Sequence, residues 1–242
     1  MGGVAAADVD IMYFNGTSWS LFFDASDVGI LDGTPDQDLN DFYIMDADTI
    51  LMSFATPFTL GTLSVDPWDV LQFDASSLGT NTAGTFSLYF DGSDVGLDDS
   101  VNEVLDGLDI LPDGRLLLST NGSFILPGLS GKDEDLLTFT PSTLGENTTG
   151  SWAMYFDGSL LGLGDTAEDI DAVNVAPNGD LYLSAADPFA VTGIAGDDED
   201  VFVCTPTLVG GAVNACGYSS ILYFDGSVWG LAANDLDGID LP

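Results

Sequence analysis

A five-residue stretch sets the terms for this chain. Tyr89-Phe90-Asp91-Gly92-Ser93 returns as Tyr155-Phe156-Asp157-Gly158-Ser159 and as Tyr223-Phe224-Asp225-Gly226-Ser227, with a looser copy at Phe22-Phe23-Asp24-Ala25-Ser26. The aspartates stand at 24, 91, 157 and 225, so the successive gaps are 67, 66 and 68 residues. A repeat of that length is one supersecondary unit copied along the chain, and each copy buries its apolar surface against the next.

Each unit reads as four short strands separated by turn signals. In the copy from Glu168 to Gly230 the runs are 169–175, 181–184, 201–204 and 220–224, and Pro177-Asn178-Gly179 marks the first hairpin. The preceding copy runs over 106–111, 116–119, 136–139 and 152–156, and an earlier one over 40–45, 50–53, 70–73 and 86–90. No stretch has the length and 3.6-residue apolar period of a helix, so the class is all-β. Four hairpin-linked strands describe a blade of a β-propeller.

The chain ends extend this reading. Leu236 to Pro242 copies only a first strand, while residues 8–23 copy a third and a fourth, leaving Gly2 to Ala6 as the second. The expectation is one domain over 1–242, a propeller of about four blades of four antiparallel strands. Blades at 36–95, 103–161 and 168–229 are complete, and 236–242 joins 1–27 to form the remaining one and close the ring. Closure removes sheet edges. An open solenoid and a ring closed through oligomerisation are the alternatives.

The first two strands of each unit, as in Glu168-Asp169-Ile170-Asp171-Ala172 followed by Pro177-Asn178-Gly179-Asp180-Leu181-Tyr182-Leu183-Ser184, resemble blades of NHL and SMP-30 propellers. As a whole the chain resembles the aspartate-rich repeats of large secreted bacterial proteins, through Phe90-Asp91-Gly92-Ser93-Asp94-Val95-Gly96-Leu97 and its copies. The resemblance implies an extracellular, surface-associated β-propeller. Asn15-Gly16 and Asp24-Ala25 depart from the motif.

Charge narrows the partners. Forty acidic residues face only Arg115 and Lys132, for a formal net charge of -38, yet 45% of the residues are hydrophobic. High charge with ample apolar residues describes a folded body with a carboxylate surface, unlike a disordered chain. Five acids are glutamate (Glu103, Glu134, Glu146, Glu168, Glu199) and the other 35 are aspartate, a turn residue that is poor inside strands. Such a field repels nucleic acid and anionic membrane, and it attracts divalent cations. No run of 18 apolar residues exists for membrane insertion, and the first residues do not read as a secretory signal. Cys204 and Cys216 flank a hairpin and are placed to form a disulfide, which implies an oxidising, secreted or cell-surface location; two buried free thiols are the alternative.

Hairpin parity decides where the acids gather. The connections after strands two and four emerge at the same end of a blade, so their carboxylates share one face. The candidate metal ligands are Asp91, Asp94, Glu103 and Asp106 after one fourth strand, and Asp157, Glu168, Asp169 and Asp171 after the next. Asp225, Asp235 and Asp237 hold the corresponding places near the end of the chain, and Asp133, Asp135, Asp198 and Asp200 come from second-to-third connections. Crowded carboxylates repel one another, and calcium, which takes six to eight oxygens in adaptable geometry, relieves them. Asp36-Gln37-Asp38-Leu39-Asn40 resembles the start of an EF-hand loop but lacks its glycine and terminal glutamate. The alternative is a solvated acidic face suited to saline. For Asp157 and its copies the alternative is turn closure.

The reading of function is a non-enzymatic, calcium-binding extracellular module for adhesion, cell-surface or matrix assembly, with surface glycans or proteins as partners and self-association into oligomers or polymers left open. A glycan-binding lectin or a carboxylate-only glycosidase is one alternative, and a structural subunit of a surface filament another. The chain has no histidine for a serine-type triad.

Overall fold

The computed structural model describes residues 4–33, 37–99, 101–164 and 168–241. The chain is all-β. Its strands are β1 (Ile11–Phe14), β2 (Trp19–Phe23), β3 (Leu39–Asp46), β4 (Thr49–Phe54), β5 (Phe58–Leu60), β6 (Leu63–Val65), β7 (Val70–Ser77), β8 (Ala83–Phe90), β9 (Leu105–Ile110) and β10 (Leu116–Thr120). They continue as β11 (Phe124–Leu126), β12 (Leu129–Gly131), β13 (Leu136–Thr143), β14 (Thr149–Phe156), β15 (Ala172–Val175), β16 (Leu181–Ser184), β17 (Phe189–Val191), β18 (Ile194–Gly196), β19 (Phe202–Val209) and β20 (Ala212–Tyr218).

Three four-stranded antiparallel sheets result, in the orders β3-β4-β7-β8, β9-β10-β13-β14 and β15-β16-β19-β20. Each is a simple up-and-down meander, as the four-run repeat implies. Between its second and third strands each sheet carries an extra small hairpin, β5-β6, β11-β12 or β17-β18. These hairpins turn on Gly61, Gly128 and Gly193, whose φ of 64°, 83° and 92° lies where glycine is favoured. The first sheet has only β1 and β2, and no strand is assigned to residues 4–10 or 236–241. Gly2 and Gly3, part of the expected second strand there, lie outside the described residues, as do Asp36, the first residue of the EF-hand-like stretch, and Pro242.

The expected fourth strand of the last repeat, Ser220 to Phe224, is not a strand. The fourth strand is β20, and Phe224 keeps a single bridge to Val201. Here Ser219 Oγ accepts from the Ile221 N–H and donates to the Ile221 carbonyl, a local alternative to ladder bonding. The Cys204–Cys216 disulfide joins β19 to β20 with Cα atoms 5.3 Å apart, and its short loop limits the unfolded chain by roughly 3 kcal/mol in the chain-entropy picture.

Apolar cores lie between successive sheets. One packs Phe23 and Ile30 against Met52, Leu71 and Phe73; the next packs Phe90 and Leu97 against Leu116, Leu118 and Phe139. A third packs Phe156 and Leu163 against Leu181, Phe202 and Cys204. A smaller one sets Ile239 and Leu236 of the C-terminal segment against Ala172, Val201 and Phe224. Edge-on ring pairs recur at the first two seams, Phe23–Phe73 at 5.2 Å and Phe90–Phe139 at 5.1 Å.

The Asp-Gly-Ser turns sit where neighbouring connections cross. In each repeat one aspartate ties them together with both oxygens. Asp135 accepts from the Lys132 N–H at 2.9 Å and the Gly158 N–H at 3.0 Å, and Asp69 from Asp66 and Gly92 at 2.9 and 3.2 Å. Asp200 does the same for Asp197 and Gly226, and Asp10 for Ala7 and Ala25. Hydrogen bonds of this kind contribute about 0.5–1.5 kcal/mol each, and burial offsets the extra strength that an ionised carboxylate would add. In the three Asp-Gly-Ser copies the crossing is tight, whereas the first copy carries Ala25 there: a Cβ at Gly158 would collide with the Glu134 carbonyl oxygen, and one at Gly92 or Gly226 with that of Trp68 or Glu199. Gly158→Ala should therefore lower stability by roughly 1–3 kcal/mol, read as a lower urea midpoint at unchanged slope. An unchanged midpoint would show that the crossing relaxes freely.

Candidate functional site

The sequence-derived ligands separate into three groups by what they touch. The first closes turns. Asp91, Asp157 and Asp225 each accept a seryl hydroxyl two residues on, at 2.6–2.7 Å, and a backbone N–H of the short helical turn that follows. Asp94 accepts the Thr148 N–H from the neighbouring sheet at 2.8 Å. Asp135 and Asp200 belong here too, as the two-handed ties described above.

The second group braces connections. Glu103 Oε2 accepts the N–H groups of Asp98 and Asp99, and its Oε1 accepts that of Ile125 in the β11-β12 hairpin. Glu168 repeats the pattern with Gly164 and with Ala190 in the β17-β18 hairpin.

The third group converges. Asp106, Asp169, Asp171, Asp235 and Asp237, with Asn40, line one cavity of about 200 Å3. These residues precede or begin the first strands of successive repeats, so equivalent positions from four places in the sequence meet. Asp133 and Asp198 of the second-to-third connections stand close enough to add repulsion, Asp133 towards Asp106 and Asp169 and Asp198 towards Asp235 and Asp237. The two sets of connections therefore do share an end. Other acids, such as Asp48 and Asp113, sit in the turns between first and second strands.

Burial dominates the electrostatics. Asp106 and Asp171 are 7% and 5% exposed, and desolvation pushes both carboxyls well above the usual range, with Asp169 adding to it at Asp106 and Asp235 at Asp171. Asp169 is pushed up to about 8, first by burial and then by the Asp133 charge. Asp235 and Asp237, more open at the mouth, shift the same way through partial burial. Both Asp171 oxygens and Asp169 Oδ1 are buried without a hydrogen-bond partner. Among the described residues no basic side chain pairs with them: Arg115 pairs with Asp113 at 2.9 Å, and Lys132 with Glu134 at 3.3 Å. Among the described residues, no group of three or more acidic or cysteine side chains is arranged to hold a metal ion as it stands.

Sequence reasoning passed over another set. Asp41, Asp109 and Asp240 lie in or beside first strands and bond across the seams. Asp41 accepts the Leu108 N–H at 2.6 Å, Asp109 that of Val175, and Asp240 that of Ile44 at 3.3 Å. Asp10 and Asp69, the remaining ties, were likewise not singled out as ligands. The signal was an aspartate inside an apolar run, at Leu108-Asp109-Ile110 and Ile239-Asp240-Leu241.

No protein-family model matches the chain, and neither does any curated protein.

The buried carboxyls set a pH dependence. Burial raises Asp41, takes Asp69 and Asp109 to about 7 and Asp240 to about 6. Unfolded, each would titrate near 3.9. Between about pH 4 and pH 7 the native state thus holds more protons than the unfolded one, and stability falls as pH rises through that window. In a chelator-containing buffer the melting temperature should be higher at pH 5 than at pH 8. A melting temperature that rises over that interval would contradict this assignment.

Proposed function

We propose that the chain is a non-enzymatic, calcium-stabilised β-propeller module of the cell exterior, serving adhesion or surface assembly through an acidic end. Support for a closed ring of four blades comes from the chain ends, where contacts between internal sheets recur. Phe14, Trp19 and Phe224 stand at 4.7, 5.8 and 6.2 Å from one another, against 4.8, 5.1 and 6.1 Å for Phe139, Trp152 and Phe90. Trp19 Nε1 donates to the Trp229 carbonyl at 3.2 Å as Trp152 Nε1 donates to that of Val95 at 3.0 Å. The Leu236 N–H donates to the Asp198 carbonyl as that of Ile170 does to Asp133 and that of Leu105 to Pro67.

The observation that carries the functional reading is chemical sameness. The ties, the turn closures and the braces each do one job in successive repeats. A glycosidase needs two carboxyls whose environments push their pKa values apart. In the shared cavity every resolved shift is upward and burial leads each one. Trp152 is spent on packing between sheets, which removes one of the aromatic faces a lectin would offer. The disulfide favours an oxidising compartment, and the charge disfavours nucleic acid and anionic membranes.

Calcium at about one hundred times its Kd should raise the melting temperature by on the order of 5–10 °C in saline, since a ligand bound only by the native state stabilises it. Coincident curves with calcium and with chelator would favour a merely solvating acidic face. Release of sugar from a polysaccharide panel would overturn the non-enzymatic reading.

A further inference from the structure

We propose that the cavity where the first strands converge is one discrete divalent-cation site, with Asp171 as its central ligand and Asp106, Asp169, Asp235 and Asp237 around it. This rests on the calcium reading above and adds a location, a ligand set and an asymmetry to it.

The inference starts from a broken equivalence. Asp106 and Asp171 occupy the same place in consecutive repeats, each one residue before the first-strand residue that pairs with a serine at or next to the end of the second strand. In the earlier repeat Ser119 Oγ lies 2.7 Å from both Asp106 Oδ1 and the Ile170 carbonyl, so one hydroxyl within reach can serve either. In the later repeat Ser184 Oγ is turned to the carbonyls of Asp198 and Asp200, at 3.3 and 3.0 Å. Asp171 is left 5% exposed, facing the cavity, with no N–H or hydroxyl donor to either oxygen and the Asp235 carboxyl as its side-chain neighbour. Its nearest company is acidic: Asp235, Asp106, Asp237 and Asp169 all raise its proton affinity.

A buried carboxylate without a donor costs several kcal/mol, so it takes a proton or meets a cation. Arg115 follows the turn between first and second strands and is paired with Asp113, while Lys132, on the connection that carries Asp133, is paired with Glu134 at 3.3 Å, so neither basic side chain is bonded to Asp171. The available donors are carboxylate oxygens, the Asn40 side chain and water, all hard oxygen chemistry. Calcium suits such a set because it accepts irregular shells of six to eight oxygens and keeps waters, whereas magnesium demands near-ideal octahedral geometry. That preference also fits carboxylates that line one cavity without a finished coordination shell.

The test is calorimetric titration of the chelator-stripped full chain with calcium at 0.15 M sodium chloride, which screens weak surface association. Asp171→Asn and Asp169→Asn should each weaken the tightest calcium site at least about tenfold, because affinity follows ligand charge. Asp48→Asn, in an exposed turn, should leave it unchanged. Without calcium, Asp171→Asn should melt above the parent chain, because it deletes an uncompensated buried charge. If the parent chain binds calcium and Asp171→Asn binds it equally well, the cavity is not the site, although the calcium reading stands. If the parent chain binds none under these conditions, both fall.

Discussion

One aspartate per repeat, accepting two backbone N–H groups, is the interaction on which the rest of the molecule depends. Asp10, Asp69, Asp135 and Asp200 each fix the turn that leads into a third strand. The same carboxylates reach the residue after Asp24, Asp91, Asp157 and Asp225, so the end of the fourth strand is fixed by the same group. The connection to the next sheet leaves from that point. Without the tie, two buried N–H groups per repeat would lack partners, at about 1–3 kcal/mol each. With it, the path of the chain from sheet to sheet is repeated, and the aromatic seams fall into register.

This use of aspartate explains the composition. A short carboxylate can close a turn on the backbone beside it, where the longer glutamate side chain spans a connection. The molecule uses each accordingly: aspartate for ties and helical turns, Glu103 and Glu168 for bracing hairpins over a longer reach. The charge that accumulates is a consequence of architecture. At exposed turns solvent and salt screen it. Where the first strands of three sheets and the C-terminal segment come together, screening fails, and the residual repulsion is concentrated on Asp171 and its neighbours.

Much of this was legible in the sequence. The recurrence of Phe90-Asp91-Gly92-Ser93 gave the unit and its period, and alternating apolar runs gave the meander of each sheet. Hairpin parity placed Asp133 and Asp198 beside Asp169 and Asp235. What escaped notice shares a physical cause. Strands of three residues, such as Phe124–Leu126, carry too little periodicity to stand out, though Leu126-Pro127-Gly128-Leu129 held a turn signal. Ser219 diverts a strand by a side-chain bond that pattern alone does not reveal. Treating aspartate as a loop residue hid Asp41 and Asp109, which are buried within strands and bond across the seams. The difference between Asp106 and Asp171 is that a serine hydroxyl lies within reach of the first and not of the second, and identical residue types encode both outcomes.

The central claim is that the same ties and seam contacts operate at every junction, including the one between the chain ends. Hydrogen exchange resolved to single amides tests it most directly. The amides of Gly92 and Gly158 report internal ties, Ala25 and Gly226 the outer ones, and Leu236 and Ile44 the contacts of the C-terminal segment. Protection of all six to a similar degree is the expected result, since amides bonded within one cooperative unit open together. Strong protection at Gly92 and Gly158 with free-peptide exchange at Leu236 and Ile44 would contradict it.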